Sequence, residues 1–240
     1  LVTEMNNCGV SGDVTLLVED GTYSTSTIDL SLLASAMGDH HLTISSKSGD
    51  SSKVTISTTS TSLLVLNGNK NVTISYLTLN STTANIINIT GNCENIEIYH
   101  NYIKGSTTVT NSTNSTPIYK ASSTGLVKDL RIIGNRIEGG YYGIYLYGES
   151  TSSYNEDVIV DSNEIYNQYY YAAYYYYTEF SHISHNRIYP RKSSTTTWYG
   201  MRLYYCNAGE INGNHINSTG GSTITSPYGM YIYYTNYNNT

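Results

Sequence analysis

The sequence predicts an all-β solenoid, a chain wound into successive coils of short strands. Three observations lead there. Charged residues make up only 12% of the chain, against roughly 25% in average globular proteins, and strand-favouring Thr, Ile, Val and Tyr combine with turn-favouring Asn, Gly and Ser. Within short segments apolar residues alternate with other residues at period two, the signature of strands. These segments recur at intervals of roughly 20–30 residues, a period that belongs to stacked repeats.

The repeat has two parts. Five segments superimpose without gaps: "IEIYHNYI" (96–103), "LRIIGNRI" (130–137), "VIVDSNEI" (158–165), "SHISHNRI" (181–188) and "GEINGNHI" (209–216). "VTISYLTL" (72–79) is a sixth, with Leu77 in the Asn column. That column reads Asn101, Asn135, Asn163, Asn186 and Asn214, at steps of 34, 28, 23 and 28 residues. Asn tolerates left-handed backbone angles, and in a coil its amides can chain from turn to turn about 4.8 Å apart, so the column is expected to be a structural ladder. A second strand follows the later copies: "YYGIYLYG" (141–148), "YYAAYYYY" (170–177), "WYGMRLYY" (198–205) and "PYGMYIYY" (227–234). Weaker counterparts are "NIINIT" (85–90) and "PIYKAS" (117–122). The longest step contains "STTVTNSTNSTP" (106–117), and 104–117 is expected to form a protruding loop.

The pattern V-x-I-x-x-N-x-I followed by G-I/M-x-L/I resembles the CASH-type repeats of the pectin-lyase-like superfamily. That resemblance implies a single-stranded right-handed parallel β-helix. "DVTLLVEDGTYS" (13–24) is similar to the first coil of such proteins, and "HLTISSKSGDSSKVTIS" (41–57) to the next. Residues 1–12 then read as the remnant of an N-terminal cap helix that shields an open strand edge. The expectation is one β-helix domain over 1–240, part of a longer secreted protein or closed at its end by another chain. The fold hosts lyases, hydrolases, epimerases, adhesins and phage spikes, so function must come from the site.

The formal net charge is −6 and no Lys/Arg stripe occurs, which argues against nucleic acid. No apolar run approaches the length of a membrane span. The three cysteines, Cys8, Cys93 and Cys206, lack metal-ligand spacing and read as buried small hydrophobes, with a Cys8–Cys93 pair left open. Low charge and abundant Ser, Thr, Asn and Tyr point to an extracellular or cell-surface location. Sequons begin at Asn71, Asn80, Asn88, Asn111, Asn114, Asn217 and Asn238.

Catalysis on this fold needs visible groups. The polygalacturonase-like succession N-T-D, D-D, G-H-G and R-I-K is absent. So are the Asp clusters that a pectate-type lyase needs for Ca²⁺, so no metal or other cofactor is expected outside that alternative. Outward columns carry Tyr102, Arg136, Glu164, Arg187 and His215, and beside them Thr73, Glu97, Arg131, Ile159, His182 and Glu210. Read down the stack, Glu97 with Arg131, Arg136 with Glu164 and Arg187, and His182 with Glu210 predict a salt-bridge ladder. Glu164, Arg187, His182 and Asp161 are the catalytic candidates.

The chain has 27 Tyr but one Phe and one Trp. Alternation points Ile144, Ala173, Met201, Met230 and Leu146, Tyr175, Leu203, Ile232 inward. It points Tyr145, Tyr174, Arg202, Tyr231 and Tyr147, Tyr176, Tyr204, Tyr233 outward as two columns. Such columns cement strands, and their flat apolar ring faces with a polar rim also suit sugar rings or a protein surface, including another copy. The leading expectation is a non-catalytic surface module binding polysaccharide or glycoconjugate. A polysaccharide lyase or glycoside hydrolase acting on acidic polysaccharide, and a fibre-forming structural repeat, are the alternatives.

Overall fold

A computed structural model describes residues 2–111, 115–191, 197–217 and 224–237. Sequons Asn114 and Asn238 lie outside them. Within these residues the chain runs through three parallel sheets in rotation, one strand per sheet per coil. The first sheet has nine strands, from Val14–Val18 to Asn236–Tyr237. The second has eight, from Gly21–Ser24 to His215–Ile216, and the third eight, from Ile28–Asp29 to Ser226–Tyr233. Each strand pairs with the strand one coil away, which is the single-stranded parallel β-helix that the family resemblance implies.

The core is a stack of aliphatic layers. Val72, Ile96, Leu130 and Ile74, Ile98, Ile132, Val160, Ile183 line the first sheet, with Leu79, Ile103, Ile137, Ile165 and Ile188 from the second. β-branched residues suit a strand whose inner face is wholly buried. At one end, helix Val2–Cys8 packs its buried Met5 with Leu30, Leu33 and Met37 around the 3₁₀ turn Ser31–Leu33. This shields apolar residues near the first strands. Cys93 and Cys206 are buried, but Cys8 is exposed on the helix and all three are free thiols. The expected burial fails at Cys8 because a short helix on the rim leaves one face in water, and no Cys8–Cys93 bond forms.

The corner between first and second sheets explains the Asn column. The preceding residue is left-handed in every copy: Tyr76, His100, Ser162 and His185 at φ 52–56°, Gly134 and Gly213 at 66° and 62°. That turns the chain and aims the following Asn into the stack. Asn163 Oδ1 accepts from Asn135 N at 2.9 Å and Asn135 Nδ2 at 3.1 Å. Its own Nδ2 donates to Ile132 O at 2.8 Å and Asn186 Oδ1 at 3.0 Å. The same scheme runs from Asn101 to Asn214. Glycine at two of these corners leaves room for the histidine ring one coil away. A Cβ on Gly134 would lie 2.8 Å from the His100 ring, and one on Gly213 2.8 Å from the His185 ring. A second left-handed column, Asn71, Asn95, Asp129 and Asp157 at φ 52–54°, kinks the first sheet's strands.

Among the described residues, two charged side chains are buried in the coil. Arg191, 4% exposed, donates to the carbonyls of Asn167, Val109, Ser106 and Gly140, tying residues 106–109 to the corners of two coils. Lys120 occupies the inward position that Leu146 fills one coil later, and its Nζ donates to the carbonyls of Ala121 and Tyr147 at 3.0 and 2.8 Å. Burial pushes its ammonium down to about 8.

Replacing Asn163 by Ala leaves buried donors of Asn135 unpaired. It should destabilise the fold by about 2–4 kcal/mol in denaturant titration. The Lys120 ammonium is depressed in the folded chain, so the unfolded chain binds more protons above pH 8 and stability rises with pH there. Between pH 8 and 10 Lys120 alone should contribute a rise of about 2 kcal/mol, set against an opposing fall from tyrosines, which ionise near 10 in the unfolded chain and higher in the fold. Lys120→Met should flatten that rise, measured as thermal midpoint against pH.

Candidate functional site

Two outer surfaces hold the candidate residues, and they differ in kind. On the third sheet the register is strict: Tyr145 pairs with Tyr174, Tyr174 with Arg202 and Arg202 with Tyr231. Beside them run Tyr147, Tyr176, Tyr204 and Tyr233. Strand spacing brings each ring onto the next. Centroids in the second column are 4.3, 4.7 and 4.4 Å apart, with planes within 7°, 24° and 16°. Tyr119, in the weaker counterpart strand, extends the first column by stacking on Tyr145 at 5.2 Å.

Stacking changes what the strip offers. The flat ring faces expected to meet a sugar lie against neighbouring rings, so the surface presents mainly ring edges and hydroxyls. A stack of this geometry is itself favourable by about 0.5–1.5 kcal/mol per pair beyond burial.

Two further columns border the strip. Tyr142, Tyr171, Tyr199 and Tyr228 stack at 5.3, 4.7 and 4.7 Å. Strict alternation from Ile144 would turn Tyr142 inward. Tyr142–Tyr171 and Ile144–Ala173 pair in one register, but Gly143 and Ile144 are both buried, so the alternation breaks there. The small residue allows this irregularity. A Cβ on Gly143 would lie 2.5 Å from Ala172 O, and one on Gly200 2.5 Å from Gly229 O. Tyr177, Tyr205 and Tyr234 form the other column at 5.6 and 5.1 Å, from left-handed backbone at φ 46–49°. Bulky residues rarely adopt that conformation, and the ladder of rings helps hold them there.

Among the described residues, Arg202 is the one cation of this surface. Its guanidinium lies within 5.1–6.0 Å of five ring centroids, those of Tyr171, Tyr174, Tyr199, Tyr204 and Tyr231. Nη1 donates to the Tyr171 hydroxyl at 2.8 Å, while Nε is buried without a partner. Among the described residues no carboxylate reaches it. Burial raises the phenols of Tyr142 and Tyr145 and pushes Tyr174 up to about 12. These rings are therefore neutral at physiological pH, and Arg202 carries the local charge.

The other surface, on the first and second sheets, holds the acid–base candidates. Glu164 and Arg187 are register partners and border a shallow recess with Ser162, Asn163 and His185. Asp161 lies 3.1 Å from His185 Nδ1 and 3.8 Å from His182 Nε2. The expected ion-pair ladder is only partly formed. Arg136 reaches Glu164 at 3.6 Å and is flanked by the rings of Tyr102 and Tyr166 at 4.7 and 5.1 Å. Arg131 instead pairs with Asp129 at 3.0 Å, two residues back on the same face, while Glu97 accepts from Thr73 at 3.2 Å. His182 turns to Asp161 rather than Glu210, and no Glu164–Arg187 ion pair forms among the described residues. Diagonal and same-strand partners compete with the residue directly opposite, and exposed pairs are too weak to enforce a ladder. Among the described residues no three His, Cys, Asp or Glu side chains converge as metal ligands.

A family model described as "Right handed beta helix region" matches residues 118–240. The chain belongs to the right-handed β-helix family. The match covers every strand of the tyrosine surface. No curated protein matches this β-helix. Among solved structures, it is similar to the rice weevil pectin methyl esterase at 10% identity, covering 100% of this chain and 85% of that one, with a TM-score of 0.40. A likeness that loose speaks to neither activity nor substrate.

Tyr176 touches rings on both sides of its column. Tyr176→Ala should cost about 1–3 kcal/mol, two stacks lost, whereas Tyr176→Phe should be near neutral; chemical denaturation measures both.

Proposed function

We propose that this β-helix is a surface-binding module, non-catalytic, that holds a polysaccharide or glycoconjugate against the outer face of its third sheet. The observation that carries the reading is the in-register tyrosine surface around Arg202, whose guanidinium has no carboxylate partner among the described residues. Hydroxyls and ring edges recur there at the coil spacing. That gives a long, flat row of hydrogen-bonding groups alternating with apolar edges, which suits an extended polymer more than a small molecule in a pocket. An extracellular or cell-surface setting goes with this reading.

A second reading rests on the Asp161 carboxylate between His182 and His185, beside Glu164 and Arg187. A carboxylate-oriented imidazole is a general acid–base arrangement, and it would serve a polysaccharide lyase or glycoside hydrolase.

A glycan array paired with assays for new reducing ends and unsaturated products separates the two. Binding without products is expected, and product formation would overturn the leading reading. The double change Tyr145→Phe and Tyr174→Phe keeps the stacks and removes two hydroxyls. At about 0.5–1.5 kcal/mol per hydrogen bond, affinity should fall several-fold to about a hundredfold. Full binding after Tyr145→Ala with Tyr174→Ala would remove the surface from consideration.

A further inference from the structure

Stacked phenols have a chemistry beyond recognition. In the column Tyr147, Tyr176, Tyr204, Tyr233 the centroids lie 4.3–4.7 Å apart with planes nearly parallel. The column through Tyr119, Tyr145 and Tyr174 is wider, at 5.2 Å for each step. The four rings of the tighter column are only partly buried, so a diffusible oxidant or an enzyme surface can reach their hydroxyls. The left-handed tyrosines alongside meet them edge-on, Tyr177 at 80° to Tyr176 and Tyr205 at 71° to Tyr204. Face-to-face overlap thus runs along the column, from coil to coil.

We propose that this column is a site of oxidative tyrosine coupling, at which hydrogen peroxide acting through a peroxidase joins rings of neighbouring coils within one chain. Each of two phenols gives up one electron and its hydroxyl proton, leaving two phenoxyl radicals. One peroxide takes up both electrons and both protons and becomes two waters. The unpaired spin spreads to the carbons ortho to oxygen, in π lobes perpendicular to the ring. A carbon–carbon bond between two ortho carbons forms along those lobes, the direction in which stacked rings face each other. Each newly tetrahedral carbon then releases its proton, the phenol oxygens are reprotonated, and two phenols joined by a biaryl bond result. Two tyrosines and one peroxide give one dityrosine and two waters. The coil supplies the approach geometry, and partners held in contact react far faster than partners that must meet by diffusion. The link ties coils that the chain itself joins only through a full turn of the helix. It is independent of glycan binding.

The test treats dilute native protein with hydrogen peroxide and a haem peroxidase, then reads dityrosine fluorescence, gel mobility, intact mass and cross-linked peptides. The expected result is a chain that remains monomeric, loses two hydrogens per link, and yields peptides joining Tyr147 to Tyr176 or Tyr204 to Tyr233. In Tyr176→Phe, which keeps the stack, Tyr147 should lose its links while the Tyr204–Tyr233 link persists. Dityrosine that is absent, that forms only between chains, or that shows the same pairing pattern in urea-unfolded protein would overturn the proposal. The wild-type peptide map decides the matter even if the variant folds poorly.

Discussion

The constraint on which the rest depends is the fixed separation of successive coils, set by parallel backbone hydrogen bonding and reinforced at one corner by the Asn ladder. Asn163 and Asn186 each use the amide oxygen twice and the amide nitrogen twice, so one side chain serves its own coil and its neighbours. A buried amide with every hydrogen bond made has no alternative arrangement of equal energy, which pins the corner. Because the corner repeats in register, so does everything mounted on the strands that leave it.

That repetition turns composition into surface. A tyrosine at one position of a strand is a side chain, but at the same position of four coils it becomes a column whose rings are held at stacking distance. The early coils of the third sheet carry Ser62, Val65, Asn85 and Asn88 at positions where later coils carry tyrosine or Thr116. The aromatic surface is therefore confined to one end of the solenoid, and the scaffold beneath it is nearly the same throughout. Scaffold and surface are separable, as expected where a fold hosts many functions.

The charged surface obeys weaker rules. Asp161 serves two histidines, Arg131 turns to Asp129, and Arg136 lies between two rings as well as near Glu164. Each has several partners within reach at similar energy. Register alone does not choose among them, because solvent screening leaves each exposed pair worth at most about 1 kcal/mol. The rings differ. They are broad, neutral and stacked on their neighbours one coil away, so their arrangement follows the backbone closely.

The sequence by itself determined the coil, its two-part repeat, the inward aliphatic columns and the alignment of tyrosines with tyrosines. Those depend on period and spacing, which a linear string records. Only the tertiary structure decided that ring faces are covered and edges exposed, because that follows from side-chain torsions set by the ring one coil away. It also decided that Tyr142 and its equivalents turn outward. The reason is two consecutive buried positions, Gly143 and Ile144, which strict alternation cannot represent. The five rings around Arg202 come from three consecutive strands of one sheet, and no local pattern of residues distinguishes a caged guanidinium from a surface arginine.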